Sequence, residues 1–179
     1  MAGEFGHMTL DESGPPCCCG KRGCWERYAS NSAAVDYYTS GAQPTRGPSP
    51  PGLRFEDILE LAKGGDRRAV ETLERMAQFL GAGLATIVTG LAPQLIVVIG
   101  EVTSAWDRVG PIVKDVLGRR ALGETPTRIV PTDHTTQPRL RGAEVCRTEA
   151  LRTRRGDDQR AARLEDVERR DHAFDGLVV

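Results

Sequence analysis

The stretch Cys17-Cys18-Cys19-Gly20-Lys21-Arg22-Gly23-Cys24-Trp25-Glu26 decides how the first part of this chain folds, because it crowds four thiols into a short loop. His7 precedes this loop and offers an imidazole. A structural Zn²⁺ takes four thiolate or imidazole ligands in a tetrahedron, and Gly20 and Gly23 reach the φ > 0 conformations that a sharp ligand loop needs. We therefore predict a zinc site whose ligands are His7, Cys17, Cys19 and Cys24. We expect Cys18 to point away from the metal.

Two other uses of these cysteines stay open on the sequence, namely redox chemistry and a disulfide cluster. No secretory signal pattern is recognisable, whereas disulfides persist mainly in secreted proteins. Adjacent cysteines also pair with poor geometry. The sequence favours zinc over both alternatives.

The same residues resemble the signature of the ROK family (repressors, open reading frames and sugar kinases). The pattern Gly-Glu-x-Gly-His, followed by Cys-x-Cys-Gly-x-x-Gly-Cys-x-Glu, is present at residues 3–7 and 17–26. The resemblance covers about residues 1–145. Other stretches similar to the family are Ala29-Ser30-Asn31, Phe55-Glu56-Asp57-Ile58-Leu59, Leu80-Gly81-Ala82-Gly83-Leu84, Leu95-Ile96-Val97-Val98-Ile99-Gly100 and Arg141-Gly142-Ala143.

The resemblance implies an α/β fold, the C-terminal lobe of an actin-like ATPase (hexokinase-type) fold with a zinc-binding loop. A complete family member carries another lobe with an Asp-x-Gly-Gly-Thr phosphate loop and, in the kinases, an Asn-Asp pair whose aspartate is the catalytic base. Neither string occurs in these 179 residues. We therefore expect an incomplete lobe, truncated at its N-terminus, that has no catalytic residue and no kinase activity of its own.

The resemblance also implies three sugar-binding residues, Glu4, His7 and Glu26. Carboxylates accept hydrogen bonds from vicinal hydroxyl groups, and a metal-bound imidazole has a fixed tautomer and orientation. Glu26 has a second interpretation, a helix-start carboxylate favoured by the macrodipole. Glu4 lies near the terminus, where chains fray.

A candidate nucleotide contact lies at Gly100. Residues 95–99 are a branched apolar run typical of a buried parallel strand, and ligand groups in α/β folds lie at the ends of such strands. ROK proteins usually have a glycine pair here, but Glu101 follows Gly100 in this chain. A carboxylate beside a triphosphate is repelled, so we expect at most a weak cofactor contact at Gly100 and no binding of ATP or Mg²⁺. A plain strand-to-helix turn is the alternative.

Periodicity predicts helices over residues 26–38, 55–62, 67–89 and 106–117, and a final strand over 128–131. Gly64-Gly65-Asp66 predicts the end of one helix and the cap of the next. Gly81 and Gly83, inside the third helix, indicate either close approach of another backbone or a ligand role.

Composition divides the chain into a lobe and a tail. We expect the lobe to cover residues 1–145 and to contain a sugar and zinc loop over 1–26 and a proline-rich linker over 41–52. We expect the tail over 146–179 to be charged and to be disordered or a solvated helix.

Charge and hydropathy exclude several classes of partner. With 24 basic and 25 acidic side chains and a formal charge of −1, the chain offers no electrostatic basis for binding nucleic acid. No apolar run is long enough to span a bilayer. We expect a cytoplasmic protein, and the family implies a homo-oligomer.

The expected function is that of a sugar-binding, zinc-stabilised effector-domain segment of a transcriptional regulator, because Gly23-Cys24-Trp25-Glu26 and the residues 100–106 look more like the regulators than the glucokinases. DNA binding would then belong to residues outside this chain. The alternatives are the C-terminal half of a sugar kinase that phosphorylates hexoses with ATP, and an inactive zinc-stapled fragment.

Overall fold

The computed structural model describes residues 4–41, 52–121, 127–132 and 176–178. These residues fall into two compact units. The first comprises Met1–Ala92 and Ser104–Thr127, and the second comprises Pro93–Thr103 and Arg128–Val179.

The first unit begins with a 3₁₀ turn, Phe5–His7, and the cysteine loop, followed by α1 (Glu26–Ala29) and α2 (Asn31–Ser40). The prediction of one helix over residues 26–38 was wrong at Ser30, which has extended backbone angles (φ −86°, ψ 164°). Its side chain accepts a hydrogen bond from the backbone N–H of Ala33 at 3.2 Å. A serine in this role caps a new helix, so the chain changes direction at Ser30.

The next two helices are α3 (Phe55–Lys63) and α4 (Arg67–Leu91). The predicted junction between them is confirmed: Gly65 has φ +86°, and the Asp66 carboxylate accepts from the N–H of Ala69 at 2.7 Å. The apolar faces of both helices are buried, as their periodicity predicted.

Helix α5 (Trp106–Arg120) extends the predicted span by three residues and packs on α4. A Cβ placed on Gly81 of α4 would lie 2.9 Å from the carbonyl oxygen of Val113 in α5. No real Cβ approaches a backbone atom so closely, so glycine at this position permits the contact between the two helices. The interpretation of Gly81 as a site of close approach is therefore confirmed.

The second unit contains a parallel sheet of order β2-β1-β3. Its strands are β1 (Leu95–Val98), β2 (Arg128–Pro131) and β3 (Gly176–Val178). Ile96 is in register with Ile129 and with Leu177. The two predicted strands are confirmed, whereas no strand had been predicted within the charged tail, where β3 lies.

After β1 the backbone turns at Gly100, which has φ +100°, into the 3₁₀ turn Glu101–Ala105. The N–H and hydroxyl of Thr103 both donate to the carbonyl of Gly100, at 3.1 and 2.7 Å. These bonds hold the end of the strand in a tight turn.

Two predictions fall largely outside the described residues. Of the linker over 41–52, only Gly41 and Gly52 are described, and of the tail over 146–179, only β3 is described. Within the described part of the chain, no helix is long and apolar enough to cross a membrane.

Candidate metal centre

The cysteine loop is closed by a ladder of backbone hydrogen bonds. The N–H of Trp25 donates to the carbonyl of Met8 at 2.7 Å, and the N–H of Leu10 donates to that of Gly23 at 2.8 Å. A further bond joins the N–H of Cys17 to the carbonyl of Lys21 at 2.8 Å. These bonds bring the segment that carries His7 against the one that carries the last cysteine.

Gly23 is required by the shape of this loop. It has φ +61°, and a Cβ on it would overlap the carbonyl oxygen of Asp11. Gly20 also has a positive φ, +88°, but a Cβ there would meet open space. Only Gly23 therefore combines an unusual conformation with a steric need for glycine.

The predicted ligand set comes together in the structure. One donor atom each from His7, Cys17, Cys19 and Cys24 can be chosen so that all four lie within 4.8 Å of one another. The Sγ atoms of Cys19 and Cys24 are 3.5 Å apart, and Nδ1 of His7 is 3.5 Å from Sγ of Cys17. In a tetrahedral zinc site the ligand atoms are separated by roughly 3.6–3.8 Å, given Zn–S of about 2.3 Å and Zn–N of about 2.0–2.1 Å. The cluster therefore has the donors and the dimensions to hold a metal ion.

The three thiols have unequal surroundings. Cys24 is fully buried and Cys17 is 9% exposed, and burial raises the pKa of both thiols above the ordinary value. Cys19 is exposed, and a backbone hydrogen bond involving Lys21 lowers its pKa. Because a metal binds the thiolate form, an ion would compensate the two buried sulfurs for the hydration they have lost.

Cys18 belongs to a second, smaller group of possible metal donors. It is exposed, and its Sγ lies 4.0 Å from Sγ of Cys17 and 3.7 Å from Oε1 of Glu26. Cys17, Cys18 and Glu26 also bring their donor atoms within 4.8 Å of one another. This group shares Cys17 with the four-residue cluster, so the two sets cannot each hold an ion through that thiol independently.

Of the three predicted sugar-binding residues, His7 belongs to the cluster and Glu26 lies beside it. Oε1 of Glu26, at the start of α1, is 3.5 Å from Nδ1 of His7. The Cys17 thiol donates to the same oxygen at 2.9 Å. Glu4 lies before the 3₁₀ turn, where its carbonyl accepts from the N–H of His7 at 3.1 Å. Among the described residues, no hydrogen bond or ion pair reaches the Glu4 carboxylate.

Trp25 anchors the loop to the helical core, and sequence reasoning missed this contact. Its indole Nε1 donates to the carbonyl of Phe79 at 2.8 Å, and a Cβ on Gly83 would overlap its ring. The signal was available, because a large aromatic residue follows the last predicted ligand and α4 carries a glycine with no cap or turn role. Gly83 thus also permits close packing, here of a side chain.

Gly100 lies in the second unit, at the end of β1. A Cβ built on it would meet no atom within 4 Å, and Glu101 beside it is exposed. The nucleotide contact at Gly100 stays a prediction.

An α/β lobe with a cysteine-rich loop and a Cys₃His cluster defines the class of protein. The family model described as the ROK family matches residues 1–148. The chain belongs to the ROK family.

Relatives of both functional kinds match the chain. The xylose repressor of Bacillus subtilis is 36% identical over 97 residues, which are 54% of this chain and 23% of the repressor. The glucokinase of Streptomyces coelicolor is 34% identical over 119 residues, covering 61% of this chain and 38% of the enzyme. The crystal structure of a ROK family glucokinase from Streptomyces griseus, in complex with glucose and AMPPNP, superposes with a TM-score of 0.59 at 29% identity. That match covers 73% of this chain and 46% of the other, so this chain spans less than half of each of these relatives.

Proposed function

We propose that the chain is a sugar-binding, zinc-stabilised effector-domain segment of a ROK-family transcriptional regulator. The observation that carries this proposal is the position of the His7 ring, whose Nδ1 is 3.5 Å from both Sγ of Cys17 and Oε1 of Glu26. A metal ligand and a hydroxyl acceptor thus lie side by side.

In this proposal zinc is bound by four protein ligands, as in structural sites, and its contribution is to fold the loop. Binding through Nδ1 of His7 leaves the proton on Nε2, which becomes a fixed donor for an oxygen of the sugar. A Cys17 thiolate cannot donate a hydrogen bond, so the bond at 2.9 Å to Glu26 is given up. The carboxylate of Glu26 is then available to accept from a sugar hydroxyl.

Two observations favour a regulator over a kinase. The xylose repressor is 36% identical over its matched residues. After β1, Glu101 follows Gly100 at the position where ROK proteins usually carry a second glycine against the nucleotide, and a carboxylate there opposes a triphosphate. Contact with DNA is proposed for residues outside this sequence.

The alternative is a sugar kinase segment, which the 34% identity to a glucokinase favours. Such a segment would contribute part of a hexose site, whereas ATP-dependent phosphorylation needs positioned phosphates, a metal and a base. We expect the purified chain to phosphorylate no hexose. ATP-dependent phosphorylation by this chain would overturn the regulator proposal in favour of the kinase.

The test is a calorimetric titration of the zinc-loaded chain with glucose, xylose, N-acetylglucosamine and mannose. We expect one of these sugars to bind, and Glu26→Gln to weaken its binding about tenfold or more, because a charged acceptor is lost. The matched control is Glu12→Gln, which removes the same charge from an exposed residue of the same loop and should bind as the parent does. If none of the four sugars binds to a folded, zinc-loaded chain, the proposal fails and the zinc-stapled fragment remains.

A further inference from the structure

A polar cavity lies away from the cysteine loop, between the end of α2 and the first turns of α4. It has a volume of about 360 Å³, and its lining includes Tyr37, Arg67, Arg68, Glu71 and Arg75. Three guanidinium groups and one carboxylate give this lining a formal excess of two positive charges. We call it the arginine pocket.

Two of the arginines are held in place by neighbours that leave their charge uncancelled. The guanidinium of Arg75 lies 4.3 Å from the ring centroid of Tyr37, and Tyr37 is only 3% exposed. Nη2 of Arg68 donates to the carbonyl of Thr39 at 2.9 Å, and its guanidinium also lies 5.6 Å from the ring of Tyr38. An aromatic face and a carbonyl orient a guanidinium without supplying a counter-charge.

Among the described residues that line the pocket, one carboxylate faces these arginines. Oε1 of Glu71 accepts from Nε of Arg67 at 2.8 Å, and this pair is exposed and therefore worth little. Within the described part of the chain, no carboxylate lies within ion-pair distance of Arg68 or Arg75. Pre-oriented arginines with unused donors match the geometry of phosphate oxygens, which they bind in bidentate fashion.

We propose that the arginine pocket binds a small phosphate monoester or free phosphate through Arg68 and Arg75, with Arg67 at its rim. The pocket has room for more than a phosphate group, since ligand pockets of about 300–1,000 Å³ hold small organic molecules. The dianionic phosphate group is common to both ligands. In the monoester this group is attached to an organic carrier such as a sugar, and in free phosphate there is no carrier. This proposal is independent of zinc and of the proposed sugar site.

The test uses the full chain, titrated calorimetrically at constant ionic strength with inorganic phosphate, glucose 6-phosphate and glucose. We expect both phosphates to bind. We expect glucose to give the same titration with the pocket variants as with the parent. Tighter binding of glucose 6-phosphate that is retained in Glu26→Gln and lost in Arg75→Gln would show that the carrier also contacts the pocket, and equal binding of the two phosphates would show that phosphate alone is recognised. The proposal is overturned if neither phosphate binds at about 10 mM, because a site with a Kd of about 1 mM would be about nine-tenths occupied at that concentration.

Variants separate this pocket from general charge effects. Arg75→Gln should weaken phosphate binding about tenfold or more, because a charge-assisted hydrogen bond is lost. Glu71→Gln should strengthen it, because the one carboxylate is removed. Arg119→Gln on α5, whose partner is Asp115, makes the same charge change outside the pocket and should bind as the parent does. An equal loss in Arg119→Gln would overturn the proposal.

Since Arg75 also packs on Tyr37, its replacement can affect folding. Arg67→Gln provides the second variant, because the Arg67 side chain is 92% exposed and does not support the core. It should weaken phosphate binding several-fold with an unchanged melting temperature in the absence of phosphate. Unchanged phosphate affinity in both Arg67→Gln and a folded Arg75→Gln would contradict the assignment.

Discussion

Trp25 and Gly83 are in direct contact: the indole occupies the space where any side chain at Gly83 would lie. The same indole donates to the carbonyl of Phe79, one turn earlier on α4, at 2.8 Å. The cysteine loop is therefore attached to α4, the longest of the described helices, through the aromatic residue that directly follows Cys24.

Gly83→Ala should destabilise the protein by about 1–3 kcal/mol, because the added methyl group forces the indole or the helix to move. Urea denaturation followed by circular dichroism measures this change. Gly90→Ala is the matched control in the same helix, since a Cβ there meets nothing within 4 Å. That variant should be neutral or stabilising by up to about 1 kcal/mol. Equal stabilities of the two variants would contradict the packing role of Gly83.

Cys24→Ser should abolish stoichiometric zinc binding, because Cys24 is fully buried and its Sγ lies 3.5 Å from that of Cys19. Cys18→Ser should retain one zinc per chain, because Cys18 is exposed and lies outside the four-residue cluster. Elemental analysis after dialysis gives the stoichiometry, and the melting temperature should fall in Cys24→Ser and in the chelated parent alike. If Cys18→Ser loses the metal and Cys24→Ser keeps it, the ligand set is wrong.

Gly23→Ala should weaken zinc binding more than Gly20→Ala does. Both residues have positive φ, but only at Gly23 would the new Cβ overlap a backbone atom, the carbonyl oxygen of Asp11. The left-handed conformation alone costs roughly 1–2 kcal/mol for a residue with a Cβ, so Gly20→Ala should show a cost of that size and Gly23→Ala a larger one. Competition with a chromophoric chelator measures the two affinities, and equal losses would count against this steric argument.

Asp36 predicts a pH dependence of stability. The residue is 5% exposed, and burial raises the pKa of its carboxyl group while Arg27 acts in the opposite direction. The folded protein therefore holds the proton to higher pH than the unfolded chain, whose aspartates titrate near about 3.9. Stability from this group is full below the unfolded pKa and is lost as pH rises through the folded pKa.

Asp36→Asn removes that loss, so its free energy of unfolding relative to the parent should rise between pH 4 and pH 7. The rise amounts to about 1.4 kcal/mol for each unit by which folding raises the pKa. Urea denaturation of both proteins at each pH measures it, and contributions common to the two proteins cancel. A relative stability that stays constant or falls over this range would show that the charged form of Asp36 is not disfavoured by folding.

Local features were predictable because their causes lie within a few residues. The junction at Gly65 and Asp66 depends on a positive φ and one cap, and the apolar spacing of α4 depends on helical period alone. The break at Ser30 was also local and was missed. Ser30 accepts a hydrogen bond from the N–H of Ala33, three residues later, which is an ordinary N-cap. The predicted helix followed the apolar pattern across Ser30 and did not take the capping signal into account.

The sequence by itself determined the cysteine loop and its candidate ligands, because all four donors lie within eighteen residues that a few glycines can fold back on themselves. Only the tertiary structure decided that Glu26 lies against Cys17, that Trp25 rests on Gly83, and that β3 pairs with β1 across nearly eighty residues of chain. The arginine pocket likewise needs α2 and α4 side by side. Contacts between distant segments depend on how helices and strands pack in three dimensions, and no local periodicity or motif records that packing.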